Sequence, residues 1–142
     1  MDSWKQSFLE KLGKAQSQWV HDFEEALEGK FVPVHQEYEP FLADNGFKLS
    51  SPLHEPDRRS YKFELSENAY LLMIFRASGV GEFELRCESF APGHEPMLTK
   101  TVARAGDLDE DWAKRQLQSA LDAFVDVLSE DVAEPVAEFV EG

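Results

Sequence analysis

A run of seven apolar residues, Ala69-Tyr70-Leu71-Leu72-Met73-Ile74-Phe75, lies between two segments in which apolar and polar side chains alternate. Successive side chains of a strand point to opposite faces, so Tyr70, Leu72 and Ile74 share one face and Leu71, Met73 and Phe75 the other. A strand with one wet face shows apolar residues on a single parity. This run therefore needs cover on both faces, from the chain's own helices or from a partner. It demands a central strand and a fold built around it.

The flanking segments supply the neighbours. Tyr61, Phe63 and Leu65 alternate with Lys62, Glu64 and Ser66; Phe83, Leu85 and Cys87 alternate with Glu82, Glu84, Arg86 and Glu88. Glu67-Asn68 and Ser78-Gly79-Val80-Gly81 can turn the chain between them, and short connections join neighbouring antiparallel strands. Residues 69–76 are thus expected in the middle of a meander. After the loop Pro92-Gly93-His94-Glu95-Pro96, residues 97–104 add a strand with Leu98 and Val102 as its apolar positions. Phe47 to Leu49 reads as a short strand. Residues 50–59, with Pro52, Pro56 and Asp57, read as a loop.

Helices bracket the strands. Trp4, Phe8, Leu12, Ala15, Trp19, Phe23, Ala26 and Leu27 recur at steps of three and four, which predicts one amphipathic helix over residues 3–28. Asp2 or Ser3 can cap it. Gly13 weakens its middle by about 1 kcal/mol relative to Ala, and Gly29 supplies a left-handed stop. A shorter helix over residues 32–45 has Pro33 in its first turn, is kinked or split by Pro40 and ends at Asn45-Gly46. The stripe Trp112, Ala113, Leu117, Ala120, Leu121, Phe124 and Leu128 predicts the last helix, capped by Asp107 or Asp109. Pro135 ends any continuation. The fold class is α+β: an antiparallel β-meander of four or five strands, flanked by a long N-terminal helix, a short kinked helix and a C-terminal helix. It forms one domain over residues 1–131, and residues 132–142 read as a loose acidic tail.

The chain of 142 residues is 42% hydrophobic and 12% aromatic, which supports a packed core and excludes a disordered class. Its net charge of −14 argues against nucleic acid and against an anionic membrane as partners. Residues 106–142 carry eleven acidic residues against Lys114 and Arg115. A solvated surface that suppresses self-association accounts for this, and so does a surface for a basic partner. Cys87 is the single cysteine, so no internal disulfide forms, as suits a reducing cytosol. No signal-peptide pattern opens the chain, and its longest apolar run is too short to span a bilayer, so a cytoplasmic location is expected.

Chemistry-bearing patterns are sparse. His21 and Glu25 stand one helical turn apart, but the second histidine and third ligand of a zinc site are missing, and no metal or cofactor is expected. Cys87 falls on the apolar parity of its strand and reads as a small buried hydrophobe. No nucleophile elbow, phosphate loop or dinucleotide fingerprint occurs. The segment His54-Glu55-Pro56-Asp57-Arg58-Arg59 is the densest mix of titratable groups. His54, Arg58 and Arg59 could grip a carboxylate or phosphate; the plainer reading pairs these arginines with the protein's own acids.

Three functional readings follow. The first is a non-catalytic protein-binding or adaptor module, working through an apolar sheet or helix face, with Leu71, Met73, Phe75 and Trp4 as binding residues and a homodimer as one way to cover the face. In general character the chain is similar to bacterial secretion chaperones, a resemblance resting on size, acidity and fold class. That resemblance implies binding of extended client segments over apolar patches, and dimerisation; those chaperones, however, place a helix inside their run of strands. The second reading is an acidic inhibitor or immunity-type protein that binds a basic partner. The third is an enzyme with a pocket drawn from His54, Arg58, Arg59 and His94.

Overall fold

The computed structural model describes residues 2–130. The expected tail over 132–142 lies outside them. The order of elements is α1 (Ser3–Ala26), a π-turn (Leu27–Phe31), α2 (Val32–Asp44), β1 (Lys48–Ser50), β2 (His54–Glu55), β3 (Arg58–Ser66), β4 (Ala69–Gly79), β5 (Glu82–Phe90), β6 (Met97–Arg104) and α3 (Glu110–Ser129). The class is α+β, with an antiparallel sheet ordered β1-β3-β4-β5-β6 and β2 paired to β3. β4 sits between β3 and β5, as its two apolar parities require.

The helices start where the capping chemistry places them. Asp2 accepts a hydrogen bond from Trp4 N at 2.9 Å, and Asp109 accepts one from Trp112 N at 2.8 Å. Glu110 and Asp111 occupy the first turn of α3, against the positive end of its dipole. The expected stop at Gly29 is corrected: the chain runs helically from α1 through the π-turn into α2, and Gly29 has no left-handed φ. Two things carry the helix through. Val32 N–H donates to Leu27 O, five residues back, so the widened turn falls just before Pro33, which has no N–H to donate. The apolar positions Phe23, Leu27, Phe31, Val34 and Leu42 also keep one stripe across the junction, and all five are buried. Pro40 does not split α2, which continues to Asp44. It ends as expected at Asn45-Gly46, where Gly46 takes φ +94° and Asn45 Nδ2 donates to Phe41 O at 2.8 Å. The expected loop over 50–59 is corrected too. It contains β2, which forms a tight hairpin with β3, His54 opposite Arg59 and Glu55 opposite Arg58.

All helical segments lie on one face of the sheet. Phe31 packs on Phe75 with ring centroids 4.7 Å apart, Trp112 meets Phe83 edge-on at 5.3 Å, and Phe23 lies 6.1 Å from the same Phe83. Register places Phe63, Leu71 and Ser89 in one row, and Tyr61, Met73 and Cys87 in the next. This covered face holds the core. The opposite face has no helix over it among the described residues: of the two sources of cover the sequence allows, the chain's own helices supply it on one face only.

Candidate functional site

The covered face first removes a candidate. Leu71, Met73 and Phe75 are each 0% exposed. Side chains sealed under α1, the π-turn and α3 cannot line a surface, so the expectation of binding residues on this parity is corrected. Trp4 is different. It is 66% exposed and stacks on Phe8 at 5.3 Å, near the start of a helix in which Phe23 is the buried residue. A 24-residue helix is about 36 Å long. Most of α1 therefore carries its apolar stripe with no core among the described residues to bury it in.

The uncovered face of the sheet is the larger surface. Tyr70, Leu72 and Ile74 form its centre, half-buried by their strand neighbours. Tyr70 stacks on Phe90 at 4.7 Å, and Lys62 Nζ lies 4.5 Å above the Tyr70 ring. Pro52 and Leu53 border Leu72 and Ile74 across a shallow depression of about 370 Å³ that includes Ser60 and Lys62. Across β5, Arg76 donates to Glu84 at 2.8 Å, and Arg86 lies between Glu84 and Glu88 at 3.8 and 3.9 Å. The Arg76 hydrogen bond holds the Glu84 carboxyl below its usual range. Beyond that ladder, β6 presents Leu98 and Val102 to solvent, 58% and 55% exposed.

Charge separates this face from the rest of the molecule. Register puts Lys48, Arg58, Lys62, Arg76, Arg86, Lys100 and Arg104 on it, against Glu55, Glu64, Glu82, Glu84 and Glu88. A chain of 14 basic and 28 acidic residues thus shows an excess of basic ones where its sheet is open.

The residues 54–59 do not form one anion-gripping loop. Strand alternation sends Arg58 to the open face, beside Arg76, and Arg59 to the covered one. Arg59 is 2% exposed and is held by Glu28 through a hydrogen-bonded ion pair and by Glu24 at 3.6 Å. Burial opposes its charge, but Glu28 and Tyr61 outweigh that and raise its pKa. The plainer expectation, an arginine paired with the protein's own acids, describes Arg59. Tyr61 lies next to this cation, and its ring centroid is 4.9 Å from that of His35. Burial holds the His35 imidazole below its usual pKa and pushes the Tyr61 hydroxyl above its own. His54 is exposed on β2. His94 follows β5, whereas Arg58 and Arg59 pair near the far end of β4, so the sheet sets His94 roughly 20 Å from the other three residues of the proposed enzyme grouping.

A small pocket of about 80 Å³ lies between the sheet and α3, lined by Cys87, Ser89, Thr99, Gln116 and Ser119 among others. Burial pushes the Cys87 thiol up to about 11, which leaves it protonated and a poor nucleophile. Among the described residues no group of three His, Cys, Asp or Glu side chains is placed to hold a metal ion, and no helix is long and apolar enough to cross a membrane. No family model, curated protein or solved structure matches the chain.

Proposed function

We propose that this chain is a non-catalytic protein-binding module that works through the uncovered face of its sheet. The observation that carries the reading is the composition of one strand. β4 places Tyr70, Leu72 and Ile74 in the centre of a face that no helix covers among the described residues. A sheet face meant only for solvent alternates apolar-in with polar-out; this one keeps apolar groups outward at its middle and charges around them. An apolar centre with a polar rim is the anatomy of a protein interface. The exposed Trp4 and Phe8 on α1 are a second anchor within the same module.

Native capture tests it. Wild-type chain and a Leu72→Glu variant, each immobilised, are exposed to lysate of the source cell, and retained proteins are identified by mass. The wild type retains a partner that Leu72→Glu loses, while Val125→Glu on the helix layer keeps it. Retention that is identical for wild type and Leu72→Glu overturns the reading. The alternative, an acidic inhibitor of a basic partner, puts the contact on the acidic helix side. Under that reading Asp122→Lys on α3 lowers retention and Leu72→Glu does not.

A further inference from the structure

β6 is a border of the sheet: it pairs with β5 and with no other strand among the described residues. One hydrogen bond just past its end shows which residues turn their backbone outward. Ala105 N–H donates to Gly81 O at 2.9 Å, one step beyond the pair Glu82↔Arg104. In an antiparallel ladder alternate residues exchange bonds with the neighbouring strand. Met97, Thr99, Thr101 and Ala103 therefore bond inward to β5. Leu98, Lys100, Val102 and Arg104 turn N–H and C=O to solvent, and the same four place their side chains on the open face.

A free edge of this length is a template for another strand. Charge decides which strand. A second copy laid antiparallel along β6 matches Leu98 with Val102 in one register, and that register sets Lys100 directly opposite the partner's Lys100. Like charges directly opposite destabilise a pair. Lys100 already faces Arg86 across β5, and neither Lys100 nor Arg104 has an ion-pair partner among the described residues. β6 itself carries no acidic residue.

We infer that β6 captures an extended acidic segment of a partner protein as an added antiparallel strand, with acidic side chains opposite Lys100 and Arg104 and apolar ones opposite Leu98 and Val102. This rests on the protein-binding reading of the open face and gives that face the chemistry of its partner. The added strand extends the sheet; its apolar side chains continue the apolar surface around Leu72, and its acids neutralise Lys100 and Arg104.

The probes are two fluorescently labelled peptides, TETVTETVT and its charge-reversed counterpart TKTVTKTVT, titrated with the full chain and read by fluorescence anisotropy. The acidic peptide binds and weakens as salt rises; the basic one does not bind. Lys100→Glu with Arg104→Glu reverses the preference. Val102→Pro removes an outward N–H that no β5 bond uses, and weakens the acidic peptide by about tenfold, as expected where ladder bonds supply affinity. Circular dichroism checks that each variant is folded, and the charge-reversed pair decides the matter if the proline variant is not. Equal binding of the two peptides, no binding of either, or a preference that Lys100→Glu with Arg104→Glu leaves unchanged overturns the inference. If neither peptide binds while Leu72→Glu still loses the cellular partner, the acidic strand is wrong and the open-face reading stands. If the acidic peptide binds while Leu72→Glu keeps that partner, the edge works alone and the open-face reading falls.

Discussion

The two parities of β4 are both apolar, yet one builds the fold and the other is left facing out. Leu71, Met73 and Phe75 meet Phe63, Tyr61, Phe83 and Leu85 under the helices and vanish from solvent. Tyr70, Leu72 and Ile74 stand one residue away in sequence, among Lys62, Glu64, Arg86 and Glu88. Hydrophobicity alone does not tell the parities apart. What separates them is the company each keeps on the neighbouring strands, and therefore the register.

The comparison breaks most visibly under truncation. Phe75→Ala opens a cavity beneath Phe31 and costs about 3–5 kcal/mol, whereas Ile74→Ala on the open face costs about 1 kcal/mol. Urea denaturation of the two variants measures the difference, and equal losses would mean that the open face is packed after all.

Two adjacent arginines sharpen the same contrast. Arg59→Ala removes a buried cation from Glu24 and Glu28, which are themselves about half exposed, and is expected to cost about 2 kcal/mol. Arg58→Ala, one residue away on the open face, stays within about 0.5 kcal/mol. Thermal unfolding of both, with denaturant midpoints as a check, ranks them.

A smaller effect comes from pH. Burial holds His35 below its ordinary value of 6.5, with Glu39 opposing. Below that value the unfolded chain binds a proton that the folded chain resists, so this contribution is fully present above pH 6.5 and declines as pH falls through the window beneath it. The slope is at most about 1.4 kcal/mol per pH unit. His35→Phe flattens it, and stability profiles of wild type and variant between neutral and mildly acid pH show whether it does.

Much of the fold is written in local patterns. The stripes of α1 and α3, the caps at Asp2 and Asp109, the stop at Asn45-Gly46 and the central place of β4 follow from residues close together in sequence. The covering of the sheet does not, because two bulges decide it. Between Glu64 and Ser66, and again between Ala77 and Gly79, the register shifts by one residue. Without those shifts Phe63 would face Leu72 rather than Leu71, and the opposite parity of β4 would lie under the helices. Leu71, Met73 and Phe75 form one of two parities that β4's own sequence leaves equal. A usable signal lay in the neighbours: Tyr61 and Phe63 before it, and Phe83 and Leu85 after it, must share one face with one parity only. The burial of Arg59 depends on Glu24 and Glu28, some thirty residues upstream on a helix whose continuation through Gly29 no local rule demands. The pattern over residues 97–104 marks β6 as a strand, but its place at the border of the sheet among the described residues is a property of the whole topology.

The central claim is that the outward parity of β4 meets a protein partner. Site-specific photocrosslinking tests it most directly, with benzoylphenylalanine placed at Leu72 on the open face or at Val125 on α3 in the source cell. The account predicts a discrete crosslinked protein from position 72 and none from position 125. An adduct from Val125 alone, with Leu72 silent, would contradict it.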